Sequence, residues 1–144
     1  MLNKVFLVVF CTVLVMFAGV DFLNDSHSLP VVMAAPALGK GIDASTNYVE
    51  PGKMKRLMIM ELGATTCIPC KQMVPVLEAL AKELAGKVDI QFVDVYKRRD
   101  LADKFGIMVI PTQIFFDKKG KEVYRHQGFY PKAEIDKKLK ELGL

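Results

Sequence analysis

Cys67-Ile68-Pro69-Cys70 sets two thiols three positions apart, just after an apolar run and just before a helical pattern. Two thiols so spaced at a helix N-terminus are close enough to form a disulfide, and they are chemically unequal. The first is expected to be exposed near the positive end of the helix dipole, where its thiolate is favoured. The second lies one turn in and faces the body of the domain. That inequality suits thiol–disulfide exchange, in which one sulfur attacks and another resolves.

Two other readings compete for the pair. As a structural staple it is poor, because so small a loop removes little entropy from the unfolded chain. As half of a zinc site it lacks partners: zinc takes four ligands, or three and a water, and His126 is the only other His or Cys ligand after the first 35 residues. Glu61, at the end of the apolar run before the motif, is a candidate proton carrier for Cys70. Desolvation there would raise its pKa toward neutrality. The alternative is a strand-end glutamate reaching solvent.

The surrounding pattern supplies the elements that must hold these residues. Leu57 to Leu62 reads as a buried strand bounded by Lys/Arg and Gly63. A helix is predicted from Cys67 to about Ala85, with Met73, Val74, Leu77, Leu80, Ala81 and Leu84 on one stripe and Gly86 as its stop. Val88 to Val95 is the next strand, and Asp100 is expected to cap a short helix over 101–105, closed by Gly106. Thr112 to Phe116 and Val123 to His126 form a hairpin about the turn at 117–120. Pro131 then opens a last helix with Ile135, Leu139 and Leu142 on one face. The order β-α-β-α-β-β-α predicts an α/β fold: a central mixed sheet flanked by helices, with a parallel pair joined by a right-handed crossover.

The 144 residues are enough for one domain and a leader. A net charge of +4, dispersed among acids, reads as a solvated surface rather than a nucleic-acid footprint. Lys97-Arg98-Arg99 is expected to be a solvated loop, and Met54, Met58 and Met60 to be strand packing rather than a copper site. Residues 1–35 differ in kind: Lys4, an uncharged apolar run from Val5 to Val20, and then Ala34-Ala35 make a signal peptide or a retained signal anchor. Either places the remainder across a membrane. Cys11, inside the apolar run, is taken as packing. Residues 36–52 read as a linker or weakly structured lead-in, and 53–144 as the folded domain.

From Lys55 to Leu144 the chain resembles a thioredoxin. Cys67-Ile68-Pro69-Cys70-Lys71 looks like the redox motif, Pro75 is similar to the helix-kinking proline, and Ile110-Pro111-Thr112 looks like the cis-proline segment. Gly128 resembles the glycine after the last strand. Departures exist too: Thr66 stands where a tryptophan is usual, Glu61 where a buried aspartate is usual, and Phe92 where a lysine commonly neighbours that carboxylate. The family's first strand and helix are hard to find before Gly52.

The resemblance implies a thioredoxin-like fold and a thiol–disulfide oxidoreductase using a Cys67–Cys70 disulfide, with Cys67 as nucleophile and Cys70 as resolving thiol. It implies substrate binding by Ile68, Pro69, Ile110 and Pro111, with backbone pairing at Ile110. Proline alone would leave the 110–111 bond trans, and the resemblance reverses that expectation. No cofactor or metal is expected. Together with the leader, it points to a monomer at the periplasmic side of a bacterial inner membrane, serving exported proteins and fed electrons by a membrane thiol transporter. An oxidant or isomerase of the same fold, and a non-catalytic binding module, are the alternatives.

Overall fold

The computed structural model describes residues 42–144; the expected leader, Cys11, His27 and the start of the lead-in lie outside them. The elements run β1 (Leu57–Gly63), α1 (Ile68–Glu83), β2 (Val88–Asp94), α2 (Arg99–Lys104), β3 (Thr112–Phe116), β4 (Glu122–Gln127) and α3 (Lys132–Glu141). They form one mixed sheet in the order β2-β1-β3-β4. β1 is parallel to β2 and antiparallel to β3, and β3 is antiparallel to β4.

β1 is buried along its whole length because both of its faces are covered. Leu57 and Ile59 pack with Met73, Leu77 and Leu80 of α1 and Ile135 and Leu139 of α3. The alternate residues Met58, Met60 and Leu62 pack on the other face with Val93, Leu101, Ile114 and Phe116. Period-two alternation therefore separates two cores. Each aliphatic or aromatic side chain so enclosed contributes about 1.5–3 kcal/mol relative to exposure. Met58 and Met60 serve this packing, whereas Met54 is exposed.

α1 begins one residue after Cys67, which caps it; Pro69 occupies the first turn and Pro75 lies inside the helix. Proline is tolerated in the first turn because its missing N–H has no helical partner there. Asp100 does not cap α2 as expected. Arg98 holds the cap position, and its guanidinium takes the Asp100 carboxylate in a fork with N···O distances of 2.9 and 2.6 Å. Asp100 lies instead within the first turn of α2, where the backbone N–H groups of Leu101 and of Asp100 itself also favour its carboxylate. The same guanidinium lies over the Tyr48 ring at 5.4 Å, so the basic run is not wholly a solvated loop.

The part of the lead-in that is described runs along β2. Phe92 N–H donates to Ile42 O at 2.6 Å and Ala44 N–H donates to Phe92 O at 2.8 Å, a parallel bridge centred on Asp43. Ile42 and Ala44 are buried. Further on, the Gln91 amide exchanges hydrogen bonds with the Val49 backbone, both at 3.2 Å.

Candidate active site

β1 and β2 end, and β3 begins, at the same edge of the layer, because β1 is parallel to β2 and antiparallel to β3. The chain segments at that end carry the cysteines, Pro111 and Gly128. Cys67 caps α1 from an extended conformation, and its Sγ accepts from Cys70 N–H at 3.3 Å. The two cysteines form a disulfide with Cα atoms 5.2 Å apart. Cys67 is half-buried and Cys70 is 1% exposed. The two cysteines thus differ in access in the expected sense, although Cys67 is half-buried and not exposed.

The loop that delivers Cys67 is pinned from β2. Asp94 Oδ2 accepts from Thr65 N–H at 3.3 Å and Thr65 Oγ1 at 3.2 Å, while Oδ1 accepts from Tyr96 N–H at 2.9 Å. Cys67 N–H then donates to Ala64 O at 3.1 Å, closing the turn. Asp94 is a residue the sequence reading missed: a polar group at a strand end looks like a mere terminus until its partners are known.

The Ile110–Pro111 peptide bond is cis. Pro111 is buried and Ile110 half-buried. Thr112 Oγ1 donates to Val109 O at 2.6 Å and Gly128 N–H donates to Pro111 O at 2.8 Å, so this turn is held from β3 and from the segment after β4. Exposed apolar side chains lie on the segments at this same end of the sheet. Ile68 is 73% and Met108 89% exposed, and Tyr96, Val109 and Phe129 are open as well. Among the described residues these make five of the eight exposed large hydrophobics. They gather at the end of the sheet that carries the cysteines instead of being scattered singly over the surface.

Glu61 is 0% exposed, on the β1 face shared with Ile59 and Gly63. Burial pushes its carboxyl up to about 8, partly offset by a hydrogen bond from Gln113. That bond, Gln113 Nε2 to Glu61 Oε2, is 2.7 Å long, and Glu61 Oε1 has no donor. Phe92 is the cross-strand partner on the other side. The solvent-reaching alternative for Glu61 is therefore not what the fold provides. Gln113 was not singled out from the sequence, since a lone polar residue in Thr-Gln-Ile-Phe-Phe gives no sign of facing a carboxyl 52 positions away.

His126, the third ligand that a zinc reading would require, stacks on Tyr130 with ring centroids 4.0 Å apart. Among the described residues no three His, Cys, Asp or Glu side chains gather to hold a metal.

A helix-capping cysteine pair and a cis-proline turn, presented together at one end of a mixed four-stranded sheet, define a thiol–disulfide oxidoreductase. The thioredoxin family model matches residues 43–141. The thioredoxin of Staphylococcus aureus (strain N315) is 42% identical over 79 residues, covering 55% of this chain and 75% of its own length. That of Staphylococcus haemolyticus is 44% identical over 77 residues, covering 54% and 73%. The solved thioredoxin of Fasciola hepatica superposes with a TM-score of 0.55 at 32% identity, over 60% of this chain and 81% of that one. The chain belongs to the thioredoxin family.

Proposed function

We propose that this oxidoreductase is exported and reduces disulfides in extracytoplasmic proteins, with Cys67 as nucleophile, Cys70 as resolving thiol and Glu61 as proton carrier. The observation that carries the reading is the contrast between a half-buried Cys67 at the α1 N-terminus and an enclosed Cys70. The helix N-terminus favours a thiolate at the first position. That thiolate attacks one sulfur of the substrate disulfide, forms a mixed disulfide and expels the other sulfur as a thiolate, which takes up a proton. Cys70 then loses its proton toward Glu61 and attacks the Cys67 sulfur. The Cys67–Cys70 bond closes and the second substrate thiol leaves with a proton. Two electrons pass from the protein dithiol to the substrate.

Ile110 offers its backbone to an extended substrate segment, and Ile68 and Pro69 flank the cysteines. The exposed Met108, Val109, Tyr96 and Phe129 favour apolar neighbours of the target disulfide. The export reading rests on the Val5–Val20 run and the small residues that follow it. Outside the cytoplasm the spent disulfide needs electrons brought across the membrane, for which a membrane thiol transporter is the fitting donor.

A Cys70→Ser variant should accumulate mixed disulfides with exported proteins, and a Cys67→Ser variant should not. Alkylation of the wild-type pair in cells should find it mostly reduced. A mostly oxidised pair would reverse the direction and make the protein an oxidant; failure to trap any partner would remove the catalytic reading.

A further inference from the structure

Across the sheet, one level of cross-strand partners reads Phe92, Glu61, Gln113 and His126, from β2 through β1 and β3 to β4. At the centre of this row are two polar side chains, both wholly buried. The Gln113 amide is oriented by its partners. Its Nε2 donates to Glu61 Oε2 at 2.7 Å and to Gly128 O at 3.2 Å, and the Gly128 carbonyl, which can only accept, fixes the amide nitrogen on that side. Gly128 N–H in turn donates to Pro111 O at 2.8 Å.

We propose that Gln113 is a positioning residue for the thiol–disulfide reaction, holding the Glu61 carboxyl behind the cysteine pair and joining it to the turn that carries Pro111. The proposal rests on the reading of Glu61 as the proton carrier. Gln113 occupies Oε2, so Oε1, which has no donor, is the oxygen that gains and loses the proton. Glu61 shares its strand face with Gly63, where a side chain would run into Cys70 Sγ. The carboxyl and the resolving sulfur therefore belong to one layer of the fold. A buried carboxylate accepting no hydrogen bond is too costly to form near neutral pH. One charge-assisted bond from Gln113 lowers that cost and keeps Glu61 able to take a proton from Cys70. The departure from the family's pattern at Phe92, where a lysine would have offered a charge, is met by a neutral donor from the opposite neighbouring strand.

The titratable groups around Glu61 are few. α1 brings Cys70, beside the apolar Met73, and β2 pairs Phe92 with the carboxyl. Asp94, two residues further on β2, is engaged by Thr65 and Tyr96. On the β4 side His126 pairs with Gln113 and stacks on Tyr130, whose hydroxyl donates to Glu134 O at 3.4 Å.

The test follows the rate at which the pre-reduced full chain reduces a disulfide-bonded peptide, as a function of pH. Glu61→Gln should abolish the inflection assigned to the carboxyl. Gln113→Met, which removes the donor at similar volume, should move it upward by about one pH unit, with a roughly tenfold slower reaction just below the wild-type midpoint. Gln113→Leu gives a second apolar replacement should the first fold poorly. In the wild type, the side-chain NH2 resonances of Gln113 should titrate with the midpoint of the Glu61 carboxyl carbon. Loss of the inflection in Glu61→Gln with no shift in the Gln113 variants would overturn the proposal and leave the role of Glu61 standing. So would Gln113 resonances that stay fixed while Glu61 titrates. An inflection unchanged in Glu61→Gln would overturn the proton-carrier reading itself and the proposal with it.

Discussion

Gly63 approaches Cys70 so closely that a β-carbon built on it would stand 3.1 Å from Cys70 Sγ and 3.2 Å from the Phe92 ring. Neither neighbour can yield easily, since Cys70 is held in the disulfide and Phe92 is fixed in the core. Gly63→Ala would gain a little backbone rigidity, worth about 0.5–1 kcal/mol. Overpacking costs about 1–3 kcal/mol and wins. The variant should be less stable by about 1 kcal/mol in a denaturant titration of the oxidised protein, and unchanged or raised stability would show that the site relaxes.

The Glu61 carboxyl gives stability a pH slope of known sign. Its pKa in the fold, about 8, lies above the ordinary value of 4.5 that it regains on unfolding. Its contribution is thus complete below about 4.5 and is lost as pH rises through about 8. Glu61→Gln, neutral throughout, should escape that loss. Its advantage over wild type should widen between pH 5 and pH 9, reaching on the order of 2 kcal/mol or more. Paired urea unfolding curves at the two pH values measure it. A constant difference between the two proteins would mean that the carboxyl is not buried in solution.

Asp94 holds the loop before Cys67 through Thr65 and Tyr96. Asp94→Ala leaves these donors without their acceptor, at a cost of about 1–3 kcal/mol. Amide exchange at Thr65 and Tyr96 should accelerate before that of the β1 core. Equal protection in the variant and the wild type would show that other contacts fix the loop.

Met108 projects into solvent beside the cis-proline turn. If substrates bury it, Met108→Asp should lower kcat/KM for a protein disulfide by roughly tenfold, the effect of losing 1–2 kcal/mol of apolar contact. The fall should be larger for a protein disulfide than for a small-molecule disulfide. Equal falls for the two would assign Met108 to the chemistry rather than to docking.

What the residues reveal on their own depends on how far apart the partners are. The cysteine pair, its helix and the buried strand before it are local patterns of spacing and periodicity, and they read directly. The cis bond at Pro111 comes from the family resemblance, because a proline alone favours trans. Gln113 and Asp94 are silent in the sequence: each gains meaning only from strand register, which pairs residues many positions apart. Ile42 to Ala44 escaped notice because a single bridge needs no run of alternating apolar residues. Asp100 falls in the first turn of α2 rather than at its cap, because an acidic residue suits either place beside a helix N-terminus.

The bridge at Asp43 is parallel to β2. Residues 42–44 therefore travel toward the same rim that carries Cys67. The bridge lays a neighbour along the outer edge of β2, where a bare strand would offer its backbone groups to another chain.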